Sequence, residues 1–271
     1  MKPATETVDS ILGGALTLVQ PRDGYRFSID AILLARFVRV RVRDRVLDLG
    51  TGCGVVSVML AALWRPREIV AIEIQPELAA IAERNATFNR LPSMRVIQAD
   101  LRALPIGGLT PASFDLVVAN PPYRPLLSGR ESPNAGRRIA RSEGAATLAQ
   151  FVDAAKRYAT NGAKAAFVFD AARSAELLGC LSANSLEPKR IRFVHPHDGA
   201  PATTILVEAR KGGGIEVIVE PPLMLYDRPG IYSDEARELM QKAPTTAEND
   251  MSSSPQTLGV LKKGGSRTQN L

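Results

Sequence analysis

The part of the sequence that most constrains the fold is a predicted strand that runs into a glycine turn and then into a predicted helix. Residues 45–50, Arg-Val-Leu-Asp-Leu-Gly, have the character of a buried strand, and the apolar stretch 53–63 has that of a helix. Gly50, Gly52 and Gly54 lie in the turn, where the absence of side chains lets the backbone bend tightly and approach a ligand closely. This order indicates an α/β protein that binds its ligand beyond the carboxyl end of a parallel strand.

Similar patterns follow along the chain and predict a doubly wound sheet. Strands that alternate with helices of about ten or more residues are typical of βαβ units and of a mainly parallel sheet. Because crossovers between parallel strands are right-handed, we expect a Rossmann-like layer of seven strands with helices on both faces. The predicted strands are 45–50, 68–73, 94–98, 114–119, 163–169, 190–195 and 203–209, and the predicted helices are 53–63, 76–89, 147–160 and 172–184.

The two ends of the chain depart from this pattern. Residues 1–44 predict an N-terminal extension that covers the ligand, with a short strand at 15–20 and a helix at 30–40 for which Ser28 is the expected N-cap. Residues 45–242 form the predicted Rossmann-like domain. Residues 243–271 are rich in Ser, Thr, Pro and Gly without a periodic apolar face, and we expect a disordered tail. The patternless stretch 121–147 is long enough to be a functional or disordered loop.

The overall charge is compatible with a polyanionic partner. The chain of 271 residues has a formal net charge of +6 and an isoelectric point of about 9.5. This favours binding of nucleic acid, but a generally basic surface explains the charge equally well. The first ten residues are polar, and no segment approaches the roughly 18–20 apolar residues of a membrane helix. We therefore expect a cytoplasmic protein with no membrane partner.

The cysteines and histidines do not indicate a metal site. Cys53 and Cys180 are far apart and not in a metal-like spacing, which also makes a structural disulfide unexpected. His195 and His197 have no Cys, Asp or Glu partner at ligand spacing, so we predict a polar loop and no metal. The sequence leaves the oligomeric state open.

Acidic residues follow the predicted strands where a nucleoside would be held. The glycine spacing differs from the G-x-G-x-x-G of dinucleotide enzymes and from the G-x-x-x-x-G-K of phosphate loops. Glu73 ends the second strand, where a carboxylate can accept hydrogen bonds from both hydroxyls of a ribose. Asp100 ends the third strand and could face an adenine amino group, and Asp48 suits a ligand with an ammonium and a sulfonium. Residues that merely cap helices remain the alternative. The predicted ligand contacts of the turn are Asp48, Gly50, Thr51, Gly52 and Gly54.

A motif that favours recognition of a planar amine follows the fourth predicted strand. It is Asn120-Pro121-Pro122-Tyr123, in which the prolines fix φ and remove backbone donors. Asn120 Oδ1 and the Pro121 carbonyl can each accept one N–H bond, and the Tyr123 ring can stack on a base, which is worth on the order of 1–3 kcal/mol. Catalysis by these four residues would consist mostly of positioning. A structural Asn-Pro turn is the alternative.

These features together resemble the seven-stranded S-adenosylmethionine methyltransferases that act on adenine N6 or on glutamine amides. With its flanking segments, the chain resembles the bacterial tRNA(Val) adenine-37 N6-methyltransferase family over about residues 10–240. The flanking segments are Leu12-Gly-Gly, the run from Gln20 to Ala35 that includes Tyr-Arg-Phe-Ser-Ile-Asp, Arg137-Arg-Ile-Ala-Arg-Ser-Glu, and Leu206-Val-Glu-Ala-Arg-Lys-Gly.

The resemblance implies methyl transfer from S-adenosylmethionine to the adenine 3′ of the anticodon, position 37, of a valine tRNA. It also implies that Tyr25, Arg26, Phe27 and Asp30 pack over the cofactor, and that Leu101 and Asn120 lie beside it. Relatives with the same motifs methylate other RNAs, so the tRNA itself is left open.

Two groups of arginines are candidates for contact with RNA. The first lies in the loop after Tyr123, beside the predicted adenine pocket, and consists of Arg124, Arg130, Arg137, Arg138 and Arg141. Clustered arginines at this place would bind a phosphate backbone, unless the loop is simply solvated. The second group alternates with valines before the first strand and consists of Arg39, Arg41, Arg43 and Arg45. It predicts an exposed edge for which RNA contact is possible.

Three other functions are compatible with parts of the sequence. A protein-glutamine methyltransferase of the release-factor type also uses Asn-Pro-Pro-Tyr. A resemblance to that type would imply a helical N-terminal domain of some length, for which the 44 residues before the predicted Rossmann-like domain leave little room. A non-catalytic RNA-binding protein on the same fold is disfavoured by the intact motif. A nicotinamide dehydrogenase is disfavoured by the glycine spacing.

Overall fold

The computed structural model describes residues 6–22, 28–103, 105–122 and 146–242. Its centre is a mixed sheet in the order β10-β8-β9-β7-β6-β3-β4-β5, and β11 also pairs with β8. The strands of this sheet are β3 (Arg45–Leu49), β4 (Glu68–Glu73), β5 (Met94–Gln98), β6 (Phe114–Ala119), β7 (Ala159–Asp170), β8 (Leu186–His195), β9 (Thr204–Lys211), β10 (Ile218–Val219) and β11 (Leu223–Met224).

The predicted α/β fold is confirmed. Strands β5, β4, β3, β6 and β7 are parallel neighbours, whereas β9 runs antiparallel between β7 and β8. These seven strands are the seven that the sequence predicts. Among the described residues the sheet has nine strands, because β10 and β11 each add two residues alongside β8, too few for a sequence period to reveal them.

Helices cover both faces of the sheet, as predicted. They are α1 (Ile29–Phe37), α2 (Val55–Trp64), α3 (Pro76–Phe88), α4 (Leu148–Tyr158), α5 (Ser174–Ala183) and α6 (Asp234–Gln241). Successive residues of a strand point to opposite faces, so Val46 of β3 joins the core beneath α1, α2 and α3, whereas Leu47 and Leu49 join the core beneath α4 and α5. Because the central strands are buried on both faces, their sequences are nearly continuous apolar runs.

The described part of the N-terminal extension is continuous with the main core. Strands β1 (Glu6–Ile11) and β2 (Leu16–Pro21) form an antiparallel hairpin, and the apolar residues of β2 and α1 belong to the same cluster as α2 and α3. The sequence predicts β2 but not β1. At the start of α1, Ser28 occupies the N-cap position as expected, yet its hydroxyl accepts no hydrogen bond from a backbone N–H of the helix and donates to Asp30 Oδ2 at 2.9 Å. The proposed boundary at residue 44 stays a prediction.

A second small hairpin and a helix follow the sheet and were not predicted. Strands β12 (Tyr226–Arg228) and β13 (Ile231–Tyr232) pair, and the Tyr226 and Tyr232 rings stack at 4.7 Å. Helix α6 packs against α1, where Arg36 Nε donates to the Leu239 carbonyl at 2.8 Å. The predicted tail 243–271 lies outside the described residues, as does most of the predicted loop 121–147. No helix of the described residues is both long and apolar enough to span a membrane.

Candidate functional site

The turn after β3 needs glycine for both conformation and space. Gly50 and Gly54 have φ values of +69° and +86°, in the left-handed region that side chains disfavour. A Cβ added to Gly50 would lie 3.1 Å from Phe151 Cζ, and one added to Gly54 would lie 3.0 Å from Ala82 Cβ. The turn is tied to the neighbouring strand by a bond from Thr51 N to the Ile72 carbonyl of 2.9 Å. The backbone of this turn is therefore held at the carboxyl edge of the sheet.

Asp48 fixes the turn from beneath. Its side chain is 1% exposed, and its Oδ2 accepts hydrogen bonds from Thr51 Oγ1 at 2.6 Å and from Ser57 Oγ at 2.7 Å. Burial raises the pKa of Asp48 to about 6, the two hydroxyls oppose this shift, and the charge of Glu73 adds to it. With so little exposed surface, Asp48 acts on a ligand chiefly through the turn that it positions.

Glu73 joins β4 to the glycine turn. The side chain is 4% exposed, and its Oε2 accepts a hydrogen bond from Gly52 N at 2.8 Å. Its Oε1 accepts one from Gln75 N at 2.9 Å. Because a carboxylate has about four lone-pair positions, each oxygen retains capacity for a further donor such as a ribose hydroxyl.

Asp100 follows β5 and is paired with a neighbouring arginine. Its Oδ1 accepts from Arg102 N at 2.9 Å, and its Oδ2 accepts from Arg102 Nη2 at 2.6 Å. The hydrogen bonds from the Arg102 guanidinium lower the pKa of Asp100. Leu101 is 8% exposed in the core beneath α4, so contact between Leu101 and a ligand would involve its backbone.

Asn120 lies beside the glycine turn. The pairing of Leu49 with Ala119 places the residues that follow, Gly50 and Asn120, next to each other beyond β3 and β6. Asn120 is half-buried, and among the described residues its amide has no hydrogen-bond partner. Pro121 is buried and Pro122 is exposed. An uncommitted amide at the carboxyl edge of a parallel sheet is available to a ligand.

Several predicted site residues lie outside the described part of the chain. They are Tyr25, Arg26, Phe27, Tyr123, Arg124, Arg130, Arg137, Arg138 and Arg141. Of the segment expected to cover the cofactor, Asp30 is described, and its Oδ1 accepts from Thr204 Oγ1 at 3.2 Å.

The sequence reasoning missed Ser57, which completes the support of Asp48. Ser57 is the single polar residue of the otherwise apolar helix α2, and this feature of the sequence could have indicated its role. It also missed Phe151, whose ring lies against Gly50 and could not be inferred without the sheet order.

The histidines bond to backbone carbonyls in the loop after β8. His195 Nδ1 lies 2.7 Å from the Ala200 carbonyl oxygen, and His197 Nδ1 lies 2.9 Å from that of Asp198. Within residues 6–22, 28–103, 105–122 and 146–242, no group of three or more His, Cys, Asp or Glu side chains is arranged to hold a metal ion.

The strand order and the site define the class of protein. A class I methyltransferase is defined by three features that are found here. Seven strands form the main sheet with one antiparallel insertion, a glycine turn follows the central strand β3, and acidic residues stand at the end of β4 and just after β5. The model of the methyltransferase small domain matches residues 27–170, and the chain belongs to this family.

Relatives with assigned names agree with the resemblance inferred from the sequence. A tRNA1(Val) (adenine(37)-N6)-methyltransferase of Tolumonas auensis is 29% identical over 221 residues, which cover 80% of this chain and 88% of that protein. A release factor glutamine methyltransferase of Salmonella typhimurium is 33% identical over 125 residues, but these cover only 44% of this chain and 43% of that protein.

Solved structures share the fold. A predicted O-methyltransferase of Agrobacterium tumefaciens has a TM-score of 0.63 at 22% identity, and covers 80% of this chain and 99% of its own. The TYW2 protein of M. jannaschii in complex with AdoMet has a TM-score of 0.53 at 16% identity, and covers 78% of this chain and 87% of its own.

Proposed function

We propose that this methyltransferase transfers a methyl group from S-adenosylmethionine to N6 of an adenine in tRNA, at position 37 of a valine tRNA. The observation that carries the proposal is the uncommitted amide of Asn120, held next to the glycine turn at the carboxyl edge of the sheet. A planar amine that enters there meets acceptors on one side and the cofactor pocket on the other.

The residues at this edge fit the cofactor. The turn from Gly50 to Gly54 would present backbone groups to the ligand, and its packing against Phe151 and Ala82 leaves no room for a Cβ at Gly50 or Gly54. Glu73 retains acceptor capacity for ribose hydroxyls, and Asp100 can accept from an adenine amino group if Arg102 yields one of its bonds. When bound, S-adenosylmethionine supplies an electrophilic methyl group on a sulfonium. The AdoMet complex of the structurally similar TYW2 protein supports this choice.

The residues after β6 would bind and orient the substrate. Asn120 Oδ1 and the Pro121 carbonyl each accept one N–H bond from the adenine amine, which holds the nitrogen lone pair toward the methyl donor. The fixed φ values of Pro121 and Pro122 keep these acceptors in place without rearrangement. Catalysis then consists of positioning, since the product amine can lose its proton afterwards to water.

The choice of tRNA over a protein substrate rests on the extent of the similarity. The tRNA1(Val) methyltransferase matches over 80% of this chain, whereas the release factor enzyme matches over 44%. The release factor glutamine is the second candidate because its amide would meet the same acceptors. A tRNA substrate would place the activity in the cytoplasm.

The test uses the purified chain, isotopically labelled S-adenosylmethionine and three substrates. We expect label in N6-methyladenosine with an unmodified valine tRNA transcript, and none with the same transcript carrying guanine at position 37 or with a release factor. Asn120→Ala should lower the turnover number by about 100-fold or more through loss of positioning, with cofactor affinity nearly unchanged. Asn184→Ala, at the end of α5, is the control and should transfer methyl normally. Label in the release factor alone would reject the proposal.

A further inference from the structure

We propose that the amino-terminal edge of the sheet carries a second RNA-binding surface, which holds tRNA phosphates outside the anticodon arm. Arginines in the loops that lead into β3, β4 and β5 form it, at the end of the sheet opposite to the site. We call it the amino-edge surface and define it by Arg39, Arg41, Arg43, Arg65, Arg67 and Arg90. The inference rests on the tRNA substrate proposed above.

The three loops lie side by side. Arg67 N donates to the Asp44 carbonyl at 3.1 Å, and Ile69 N donates to the Ser93 carbonyl at 2.7 Å. Glu68 is the first residue of β4, and it accepts from Arg45 Nε of β3 at 2.9 Å and from Arg95 Nε of β5 at 2.8 Å. The arginines of the three loops therefore share one continuous surface.

The positive charge of this surface is poorly neutralised. All six arginines that define it are exposed. In the part of the chain that the structure describes, Arg39, Arg43, Arg65, Arg67 and Arg90 have no carboxylate oxygen within 4 Å, in contrast to arginines such as Arg190 and Arg192 of β8. Glu68 forms ion pairs with both Arg45 and Arg95, so its single negative charge neutralises only one of these two arginines. Unpaired arginines on adjacent loops are suited to bind a phosphate backbone.

Two of the arginines occupy positions that the fold would fill better with another residue. Arg65 and Arg90 follow α2 and α3 with φ values of +49° and +54°, in the left-handed region. Glycine or asparagine is favoured at such helix ends because a Cβ is strained there. An arginine at both places indicates that its side chain is used for something other than ending the helix.

The location separates this surface from the adenine site. Strand β3 has five residues and β4 has six, so roughly 15–20 Å of sheet lies between the two edges at 3.3 Å per residue. Nucleotides next to an adenine bound at the carboxyl edge do not span this distance. Each nucleotide carries one phosphate charge, so a tRNA body passing this edge would present many phosphates to it.

The test compares variants that keep the fold but remove charge. In R65G/R90G, glycine relieves the strained backbone, so the melting temperature should not fall, whereas R65K/R90K keeps the charge. R39Q/R43Q changes a different loop of the same surface, and R228Q removes an exposed arginine elsewhere as the control. Binding of valine tRNA is measured by fluorescence anisotropy with S-adenosylhomocysteine over a range of salt concentrations. Methylation kinetics are measured on full-length tRNA and on the isolated anticodon arm.

We expect each double charge removal to lower the slope of log affinity against log salt by about two. It should raise KM for full-length tRNA and leave the anticodon arm kinetics unchanged, and R65K/R90K and R228Q should resemble the unaltered chain. An unchanged slope would overturn the inference while the proposed function stands. An equal loss on the anticodon arm would also overturn it, since the surface would then act at the adenine site. If the unaltered chain methylates neither RNA, the proposed function is rejected.

Discussion

Asp48 shows how one buried residue links the site to stability. Its carboxyl is enclosed beneath the glycine turn, and burial raises its pKa to about 6 from the ordinary value of 3.8. Between about pH 4 and pH 6 the folded protein therefore keeps a proton that the unfolded chain has already lost. Because the folded state binds more protons in this window, the contribution of Asp48 makes the protein less stable as the pH rises through it, and constant above it.

Asp48→Asn should remove this dependence. The shift of the Asp48 pKa corresponds to about 3 kcal/mol at 1.36 kcal/mol per unit. As the pH rises from 4 to 7.5, the free energy of unfolding of Asp48→Asn should therefore increase by up to roughly that much relative to that of the unaltered chain. The measurement is the free energy of unfolding in urea at both pH values, and contributions of other groups cancel in the difference. Asp198→Asn, which changes an exposed carboxylate, is the control. If the free energies of unfolding of the variant and the unaltered chain differed by the same amount at both pH values, the assigned environment of Asp48 would be contradicted.

The sequence indicates where the carboxyl edge of the sheet lies, whereas the ligand contacts of single residues at that edge stay predictions. Glu73 ends the buried strand β4, and the first polar residue after such an apolar run marks the carboxyl edge of a parallel sheet. Asp100 follows β5, in which Met94 alone is buried, so its place is indicated by the alternation of strands and helices and not by a buried run. Contacts that depend on short-range side-chain geometry were not predictable. The pairing of Arg102 with Asp100 and the bond from Ser57 to Asp48 follow from the turn and helix geometry, which spacing alone does not give.

At the scale of elements, an asparagine of α3 and the asparagine that directly follows α3 attach the N-terminal hairpin. Asn85 Oδ1 accepts from Val19 N at 2.8 Å, and its Nδ2 donates to the Val19 carbonyl at 2.9 Å. Asn89, one turn later, pairs in the same way with Thr17, at 2.9 Å and 2.7 Å. The two side chains thus satisfy alternate residues of β2 as a neighbouring strand would. They also hold β2, the strand that precedes the segment expected to cover the cofactor.

We expect Asn85→Ala to destabilise the protein more than Asn89→Ala. Asn85 is fully buried, so its loss leaves the N–H and carbonyl of Val19 without their side-chain partner and also removes the bond to the Cys53 carbonyl at 2.8 Å, at a cost of about 3 kcal/mol. The Asn89 pair is exposed to solvent, which can replace it, so about 1 kcal/mol or less is expected. Urea denaturation of the two variants checks the order. Equal losses would show that the hairpin does not depend on the buried amide.

The elements that the sequence predicted are those with enough residues to show a period. The apolar strands β3, β4 and β6 and the helices α2 to α5 match their predicted positions within a few residues, apart from the longer β7. Strands β10 to β13 have two or three residues each, and α6 has eight residues with only Ala236 buried. Such elements are held by contacts with the completed fold, so no local pattern reveals them.

In the whole molecule, the residues at the carboxyl edge of the sheet contribute to the stability of the fold, and we expect them to contribute to ligand binding as well. The glycine turn depends on Asp48 from below and on Glu73 from the side, and the hairpin attached to α3 leads toward the same edge. A ligand that binds only the folded state stabilises it by mass action, about 2.7 kcal/mol at a concentration of 100 times Kd. For a chain of this size, 1 kcal/mol corresponds to roughly 2–4 °C in melting temperature.

Glu73→Gln should therefore reduce the thermal stabilisation by S-adenosylhomocysteine. At a ligand concentration of 100 times the Kd of the unaltered chain, we expect the melting temperature of that chain to rise by roughly 5–10 °C. The melting temperature of a variant that binds the ligand about tenfold more weakly should rise by about half as much. Glutamine keeps one oxygen for Gly52 N but presents its amide hydrogens to Gln75 N or to the ribose, so the variant also loses some stability without ligand. Comparing each variant with its own ligand-free melting temperature separates the two effects. Glu77→Gln, an exposed change in the first turn of α3, should gain as much thermal stabilisation from the ligand as the unaltered chain. If Glu73→Gln gained equally, Glu73 would hold the turn together without contacting the cofactor.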